Sequence, residues 1–158
     1  GSYGLFATAE AKGTWIFNNV VLTNSTINES GIDLSQKGPL LKTQQDQSIS
    51  FEINQCTIYG LAYTIINSGS KPLTLNISNT LFGGFQSGQA VKGYEDGTTV
   101  NSSENVYTVS DSPFQSNALG ECLTITGADL FNAPATTDGD FTVKIDTYKT
   151  YGDQRWNK

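Results

Sequence analysis

The sequence predicts an all-β fold, a single-stranded parallel β-helix with about 24 residues per turn. Two stretches align when one is moved by 24 positions, ISFEINQCTIYGL and LTLNISNTLFGGF. Phe51 then falls on Leu75, and Ile58 falls on Phe82. Apolar residues alternate within each stretch as in a strand, and the alternation breaks once, as at a bend. Because one such unit cannot bury its own apolar side, we expect the copies to stack.

The same spacing of apolar or small residues occurs in two further windows. The upstream window contains Trp15, Phe17, Val20 and Leu22, and the downstream window contains Leu123, Ile125, Ala128 and Leu130. In this alignment Trp15 matches Phe51, and Leu123 matches Leu75 two steps of 24 residues earlier. The longer upstream interval predicts an excursion inserted into the first turn. No window shows a sustained helical period, which favours strands.

Shorter segments complete the predicted organisation. Leu40-Leu41, Tyr63-Ile66, Ala90-Val91, Glu104-Val109 and Phe141-Lys144 read as strands between polar turns. Residues 93–103 lack the apolar pattern and predict a long surface loop. Residues 1–12 predict an N-terminal cap, or a segment that pairs with a missing preceding turn, and residues 145–158 predict a C-terminal tail or cap.

Composition limits the class of protein. The 158 residues predict one domain, with charged residues at 15% and a net charge of -6. Such an acidic chain disfavours binding to nucleic acid or an anionic membrane surface. No run of 18 apolar residues predicts a membrane span, and no signal peptide is visible. We expect a monomer, and Gly1-Ser2 resembles a cloning scar in front of a domain excised from a larger protein.

The two cysteines predict a buried thiol rather than a disulfide. Cys56 occupies a core-facing position of its window, which Thr80 occupies in the next one. A buried free cysteine behaves as a small hydrophobic residue. Cys122 lies two repeat steps away, so it does not easily reach Cys56.

The residue types present in the chain give little support for a catalytic function. The chain contains no histidine, which excludes Ser-His and Cys-His pairs, and no carboxylate cluster of the kind that glycosidases use. A uronate lyase needs a base such as arginine or lysine, and the only arginine is Arg155. We expect Arg155 to pair with Asp153 while Trp156 packs on the last turn. No catalytic residue is therefore assigned.

Sugar binding is the non-enzymatic function that the side chains favour. Aromatic rings stack on the apolar faces of sugars, and amides and hydroxyls bind their oxygens. The aromatic residues predicted for this role are Tyr59, Tyr63, Phe85 and Tyr94. Amides near the bends, among them Asn54 and Asn79, are alternatively expected to form hydrogen-bonded ladders along the stack.

A calcium site is the one cofactor that the sequence suggests. Asp138 and Asp140 flank Gly139, and their carboxylates and backbone carbonyls are suitable Ca²⁺ ligands. The full spacing of a Ca²⁺-binding loop is missing, so a plain turn is the alternative interpretation.

The C-terminal half resembles a known family, and together with the repeats the resemblance covers most of residues 13–156. Three motifs carry the resemblance: DLFNAP at 129–134, GDFTVK at 139–144 and GDQRW at 152–156. They are similar to the C-terminal signature of pectate-lyase-like right-handed β-helix domains in surface and secreted proteins of Bacteroidetes, with Gln154 where proline is usual. The resemblance implies a right-handed helix, a location outside the cell or on the outer-membrane surface, and polysaccharide as partner. Members of that family are mostly of unknown function.

Three functions therefore stay open. The first is a non-catalytic module of a polysaccharide-handling protein that binds carbohydrate. The second is a fragment of a pectate-type lyase whose catalytic turns lie upstream. The third is a structural spacer or adhesin segment.

Overall fold

The computed structural model describes residues 6–8, 19–23, 25–28, 40–43, 49–61, 65–67, 73–84, 91–92, 99–108, 120–136 and 138–157. These residues are mostly strand with few helices. The strands are β1 (Phe6–Thr8), β2 (Asn19–Thr23), β3 (Thr26–Asn28), β4 (Leu41–Thr43), β5 (Ile49–Asn54), β6 (Thr57–Tyr59), β7 (Ile66–Asn67), β8 (Leu73–Ser78), β9 (Leu81–Gly83), β10 (Val91–Lys92), β11 (Thr99–Ser103), β12 (Val106–Thr108), β13 (Glu121–Leu123), β14 (Phe131–Ala133) and β15 (Asp140–Val143). The helices are α1 (Gly127–Leu130) and the 3₁₀ helices Asp146–Tyr148 and Gln154–Trp156.

Three parallel sheets contain most of the strands. Sheet 1 has the order β1-β4-β7-β10, sheet 2 has β11-β8-β5-β2, and sheet 3 has β13-β12-β9-β6-β3. From β2 to β12 the chain visits sheet 2, sheet 3 and sheet 1 in constant rotation. Each strand therefore pairs with the strand one rotation later, as the repeat predicts. A separate antiparallel pair, β14 and β15, follows near the C-terminus.

The register of the central strands confirms the 24-residue repeat. In sheet 2, Phe51 lies opposite Leu75. In sheet 3, Ile58 lies opposite Phe82. The next step is 25 residues, since Leu75 lies opposite Val100. Apolar residues at repeat spacing thus lie on neighbouring strands of one sheet.

The predicted register of the upstream window is wrong by five residues. Val20, not Trp15, lies opposite Phe51, and the step is 31 residues. Ile27 correspondingly lies opposite Ile58. A period of two does not fix register when apolar residues are as dense as they are before Thr23. Trp15 and Phe17 lie outside the described residues.

The downstream window and the predicted loop are also corrected. Residues 127–130 form α1 instead of a fourth copy of the repeat. Part of the loop predicted for residues 93–103 is the strand β11, which pairs with β8 over its full length. The strand lacked an apolar signature because Ser102 occupies the position of Ile77 and leaves Val100 as its single apolar residue. Residues 93–98 lie outside the described residues.

Two hydrophobic clusters lie on opposite faces of sheet 3. The first combines residues of sheets 2 and 3 with residues next to the strands of sheet 1, and contains Leu40, Phe51, Ile53, Cys56, Ile58, Leu61, Ile65, Leu75, Ile77 and Phe82. The second covers the other face of sheet 3 and contains Tyr59, Leu81, Val106, Leu130, Phe131, Phe141 and Val143. Strands β6 and β9 are consequently buried on both faces.

A stacked backbone bend turns the chain from sheet 2 into sheet 3. Gln55, Asn79 and Glu104 adopt φ values of 51°, 50° and 51° in three successive turns. Backbone hydrogen bonds connect the bends, with Gln55 N donating to Ser78 O at 3.1 Å and Asn79 N donating to Ser103 O at 3.2 Å. Left-handed backbone is tolerated best by glycine and by asparagine, whose polar side chain bonds locally. The break in alternation seen in the sequence is this bend.

The C-terminal segment crosses the strands of sheet 3. Gly152 N donates to Asn79 O at 2.8 Å, and Asp153 N donates to Thr57 Oγ1 at 3.0 Å. Trp156 Nε1 donates to Thr26 Oγ1 at 2.7 Å. Residues 145–157, called the strap below, therefore lie across the face of sheet 3 that the second hydrophobic cluster covers. Of the predicted N-terminal cap, Phe6–Thr8 form β1 in sheet 1, and the remainder of residues 1–12 lies outside the described residues.

Candidate functional site

The sequence-predicted sugar-binding residues are placed only in part. Tyr63, Phe85 and Tyr94 lie outside the described residues. Tyr59 ends β6 and is 9% exposed. Its role in sugar binding stays a prediction. The residues packed around Tyr59 determine how much of its ring surface is open to a sugar.

The Tyr59 ring is enclosed by the chain itself. It makes an edge contact with Phe131, with centroids 6.1 Å apart, and a tilted contact with Phe141 at 5.7 Å. Gly84 and Gly127 lie so close that a Cβ on either would come within 2.7 Å and 2.5 Å of ring atoms. These two positions have room only for glycine, because the ring lies against the backbone there. Tyr59 therefore fills the second hydrophobic cluster, where burial raises the pKa of its phenol.

The predicted calcium ligands lie in a turn beside β15. Asp138 is exposed, and Asp140 is half-buried at the start of β15. The Asp140 carboxylate accepts hydrogen bonds from Thr142 N at 2.9 Å and from Asn132 Nδ2 at 3.3 Å. Over the part of the chain that the structure describes, no group of three or more His, Cys, Asp or Glu is placed to hold a metal ion. Ca²⁺ binding by the two carboxylates remains untested.

The predicted pairing of Arg155 with Asp153 is confirmed. Arg155 Nε donates to both Asp153 oxygens at 3.0 Å, and Arg155 Nη2 forms an ion pair with Oδ2. The expected packing of Trp156 on the last turn is confirmed, because its ring makes an edge contact with Phe141, with centroids 5.7 Å apart. Trp156 also bonds Thr26 in β3, an early strand of sheet 3. The Asp153 side chain is fully buried, whereas that of Arg155 is 68% exposed.

Competing effects determine the protonation of Asp153. Burial raises the pKa of this carboxyl, but hydrogen bonds from Arg155 and from Thr26 Oγ1, at 2.7 Å, outweigh it. The net result is a pKa below the usual value of an aspartate. A carboxylate that stays ionised and accepts hydrogen bonds at both of its oxygens is typical of a structural contact. The arrangement accounts for the GDQRW motif without catalysis.

A polar surface covers the outward side of β5, β8 and β11 in sheet 2. Side chains alternate along β5, with Phe51 and Ile53 buried and Glu52 exposed. We call the outward-facing set the polar face. Its members are Ser50, Glu52, Asn54, Thr74, Asn76, Ser78, Thr99, Asn101 and Ser103. All are half-buried or exposed, and all carry hydroxyl, amide or carboxylate groups.

Parallel register arranges the polar face as rows across three strands. Ser50, Thr74 and Thr99 form one row, and Glu52, Asn76 and Asn101 form the next. Strands lie about 4.8 Å apart and alternate residues about 6.6 Å apart, so the face spans about 10 Å by about 13 Å. This regular spacing is a consequence of the repeat.

Hydrogen bonds between neighbouring strands order several of these side chains. Asn101 Nδ2 donates to Asn76 Oδ1 at 2.8 Å. Ser78 Oγ and Asn79 Nδ2 donate to Asn54 Oδ1 at 3.0 Å and 3.2 Å. The predicted amide ladder along the bends is confirmed for these residues. Polar groups fixed before a ligand arrives lose less conformational entropy on binding.

Sequence reasoning missed the polar face, although a signal was present. Every second residue of ISFEIN, TLNIS and TVNSS is Ser, Thr, Asn or Glu, in phase with the apolar positions. The aromatic residues that the sequence predicts for sugar binding all lie outside these three segments. Recognising TVNSS as a strand would have shown that three strands share this pattern.

Comparison of the chain with protein-family models, curated proteins and solved structures finds no significant match. The resemblance of the C-terminal motifs to pectate-lyase-like domains thus stays a prediction. None of the helices among the described residues has the length and apolarity that crossing a bilayer requires.

Proposed function

We propose that the chain is a right-handed parallel β-helix that acts as a non-catalytic, polysaccharide-binding module of a secreted or cell-surface protein. The glycan lies along the polar face of sheet 2. The observation that carries this proposal is the grid of hydroxyl and amide side chains, held in register on three strands. The cyclic order of the sheets supports the helical architecture.

The chemistry of the polar face matches the chemistry of a sugar polymer. Sugars present closely spaced hydroxyls that both donate and accept hydrogen bonds, as Ser, Thr and Asn side chains do. A repeating ligand suits a repeating surface, because each strand presents equivalent groups to successive sugar units. No aromatic side chain belongs to this set of nine, so we expect weak binding, with a Kd of about 0.1–1 mM.

The first test is binding of soluble oligosaccharides, followed by calorimetry or by NMR titration of backbone amides. Titration shifts are expected in β5, β8 and β11. The double variant Asn76→Ala/Asn101→Ala is expected to weaken binding at least about tenfold, since it removes the ordered amide pair. Thr147→Ala is the matched control, because Thr147 is exposed on the strap and outside the polar face.

The alternative functions predict different results. A lyase fragment would produce unsaturated uronate, which absorbs in the ultraviolet, once the upstream residues are added to the chain. A structural spacer would bind no glycan on an array and show no activity. Binding that survives the double variant but disappears after substitutions elsewhere would place the site away from sheet 2 and contradict the proposal.

A further inference from the structure

Glu52 is the one negatively charged residue of the polar face. It is exposed in the middle of β5 and lies opposite Asn76 of β8. Among the described residues, its carboxylate has no hydrogen-bond or ion-pair partner. The nine residues of the polar face include no lysine or arginine to neutralise it. A ligand near the row of Glu52, Asn76 and Asn101 therefore contacts a carboxylate whose charge none of these nine residues neutralises.

Asn76 is oriented by its other neighbour. Its amide oxygen accepts from Asn101 Nδ2 at 2.8 Å, which turns its amino group away from Asn101. Asn101, Asn76 and Glu52 follow one another across the sheet. The bond from Asn101 does not use the Asn76 amino group, which is therefore a donor for a ligand in this row. Neighbouring strands lie about 4.8 Å apart, so the side chains of Glu52 and Asn76 start at about this separation. An acceptor and an orientated donor thus stand side by side on the surface.

Charge distinguishes the classes of glycan that fit this pair. A carboxylate accepts hydrogen bonds from two adjacent hydroxyls, and such charge-assisted bonds are the stronger kind. A uronate polymer carries a carboxylate on every sugar and is repelled by Glu52. The net charge of -6 acts in the same direction over longer range.

We propose that the polar face selects neutral glycans over polyuronates, and that Glu52 and Asn76 are the residues that read a vicinal diol. Glu52 accepts from the two hydroxyls, while Asn76 donates to a neighbouring sugar oxygen. This inference rests on the proposed function and names the substrate class of the same site.

The test compares two ligand classes of matched length, a neutral glucan oligosaccharide and an oligogalacturonate. Calorimetric titrations are run at low and at physiological salt with the wild type, Glu52→Gln, Glu52→Lys and Thr147→Ala. Glu52 is exposed, so we expect all variants to fold, and circular dichroism checks this. The wild type is expected to bind the neutral ligand at least about tenfold more tightly than the uronate, most clearly at low salt.

The substitutions separate charge from shape. Glu52→Gln is expected to weaken binding of the neutral glucan about tenfold, because a neutral amide accepts weaker bonds. Glu52→Lys is expected to reverse the preference in favour of the uronate, and Thr147→Ala should match the wild type. Equal or tighter binding of uronate by the wild type, or unchanged glucan affinity in Glu52→Gln, overturns the inference while leaving glycan binding intact. Failure of both ligand classes, together with a blank glycan array, overturns the proposed function as well.

Discussion

Asp153 shows how one carboxylate can connect distant parts of a chain. It accepts from Thr26, 127 residues earlier, and its own backbone N–H donates to Thr57. Its neighbour Arg155 neutralises it from the solvent side. The buried carboxylate is therefore compensated by two residues, Thr26 and Arg155, that belong to two different regions of the fold.

Replacing Asp153 by alanine should reduce the free energy of unfolding by about 2–3 kcal/mol, because Thr26 and Arg155 lose a buried charged partner. Urea denaturation of the variant and the wild type measures the difference. Asp146→Ala is the control, since it removes the exposed ion pair with Lys149 and should change little. A loss no larger than that of the control would contradict the role of Asp153.

The lowered pKa of Asp153 also predicts a pH dependence. Because its pKa is lower in the folded protein than in the unfolded chain, the carboxylate stabilises the fold fully above the usual value of about 3.8. That contribution is lost as pH falls through the lower, folded-state pKa. Thermal melts recorded from neutral pH down to the lowest pH at which the protein still folds should show a steeper fall in Tm for the wild type than for Asp153→Asn. Parallel curves would argue against this carboxyl as the source.

Cys56 is expected to be unreactive in the folded protein. Burial is the main reason that the pKa of its thiol is raised to about 11, and the side chain is inaccessible. In a Cys122→Ser background, a thiol reagent at neutral pH should label Cys56 only as fast as the protein unfolds. Labelling that is rapid in water and insensitive to urea would contradict this burial.

At the scale of elements, the join between sheet 3 and the C-terminal region depends on two glycines around Tyr59. Gly84 has φ +63° and would place a Cβ 2.7 Å from Tyr59 Cζ, whereas Gly127 has only the steric conflict, at 2.5 Å. Gly84→Ala should therefore destabilise more than Gly127→Ala, by about 2–4 kcal/mol against about 1–3. Thermal and urea unfolding of both variants provide the comparison.

The Tyr59→Leu background isolates the steric part of that effect. Removing the ring should make Gly127→Ala nearly harmless, while Gly84→Ala should retain the cost of left-handed backbone. If Gly127→Ala costs as much without the ring as with it, contact with Tyr59 is not the cause of that cost.

The elements differ in how far the sequence determines them. The register of β5, β6, β8 and β9 follows from the repeat, because apolar residues recur at a constant interval on both sides of a bend. The register of β2 does not, since alternation alone permits several alignments there. Strand β11 is held by its neighbour β8 and by one inward valine, so its own residues carry little signal. For the site, Tyr59 had the expected chemistry but a buried position, which only tertiary contacts reveal.

At the scale of the whole molecule, the strap is the feature that local sequence could not predict. Trp156 bonds Thr26 across 130 residues. The strap also bonds Thr57 and Asn79, and so it connects β3, β6 and the bend before β9. In stacked repeats each unit otherwise contacts only its neighbours, which allows the ends to unfold separately. A segment that is hydrogen-bonded to several strands opposes such separate unfolding, because those strands then unfold together.

Truncation after Tyr151 should therefore change cooperativity as well as stability. Removal of residues 152–158 deletes the bonds to Asn79, Thr57 and Thr26 and uncovers part of the second hydrophobic cluster, including Phe141, which contacts Trp156. We expect a lower midpoint in urea, a smaller m-value and dye binding to exposed apolar surface before the main transition. Hydrogen exchange should show the loss of protection first in β3, while β5 and β8, paired on both sides, stay protected. If the truncated chain keeps the m-value of the full chain and loses protection uniformly, the strands are coupled through their shared core, and the strap only adds stability.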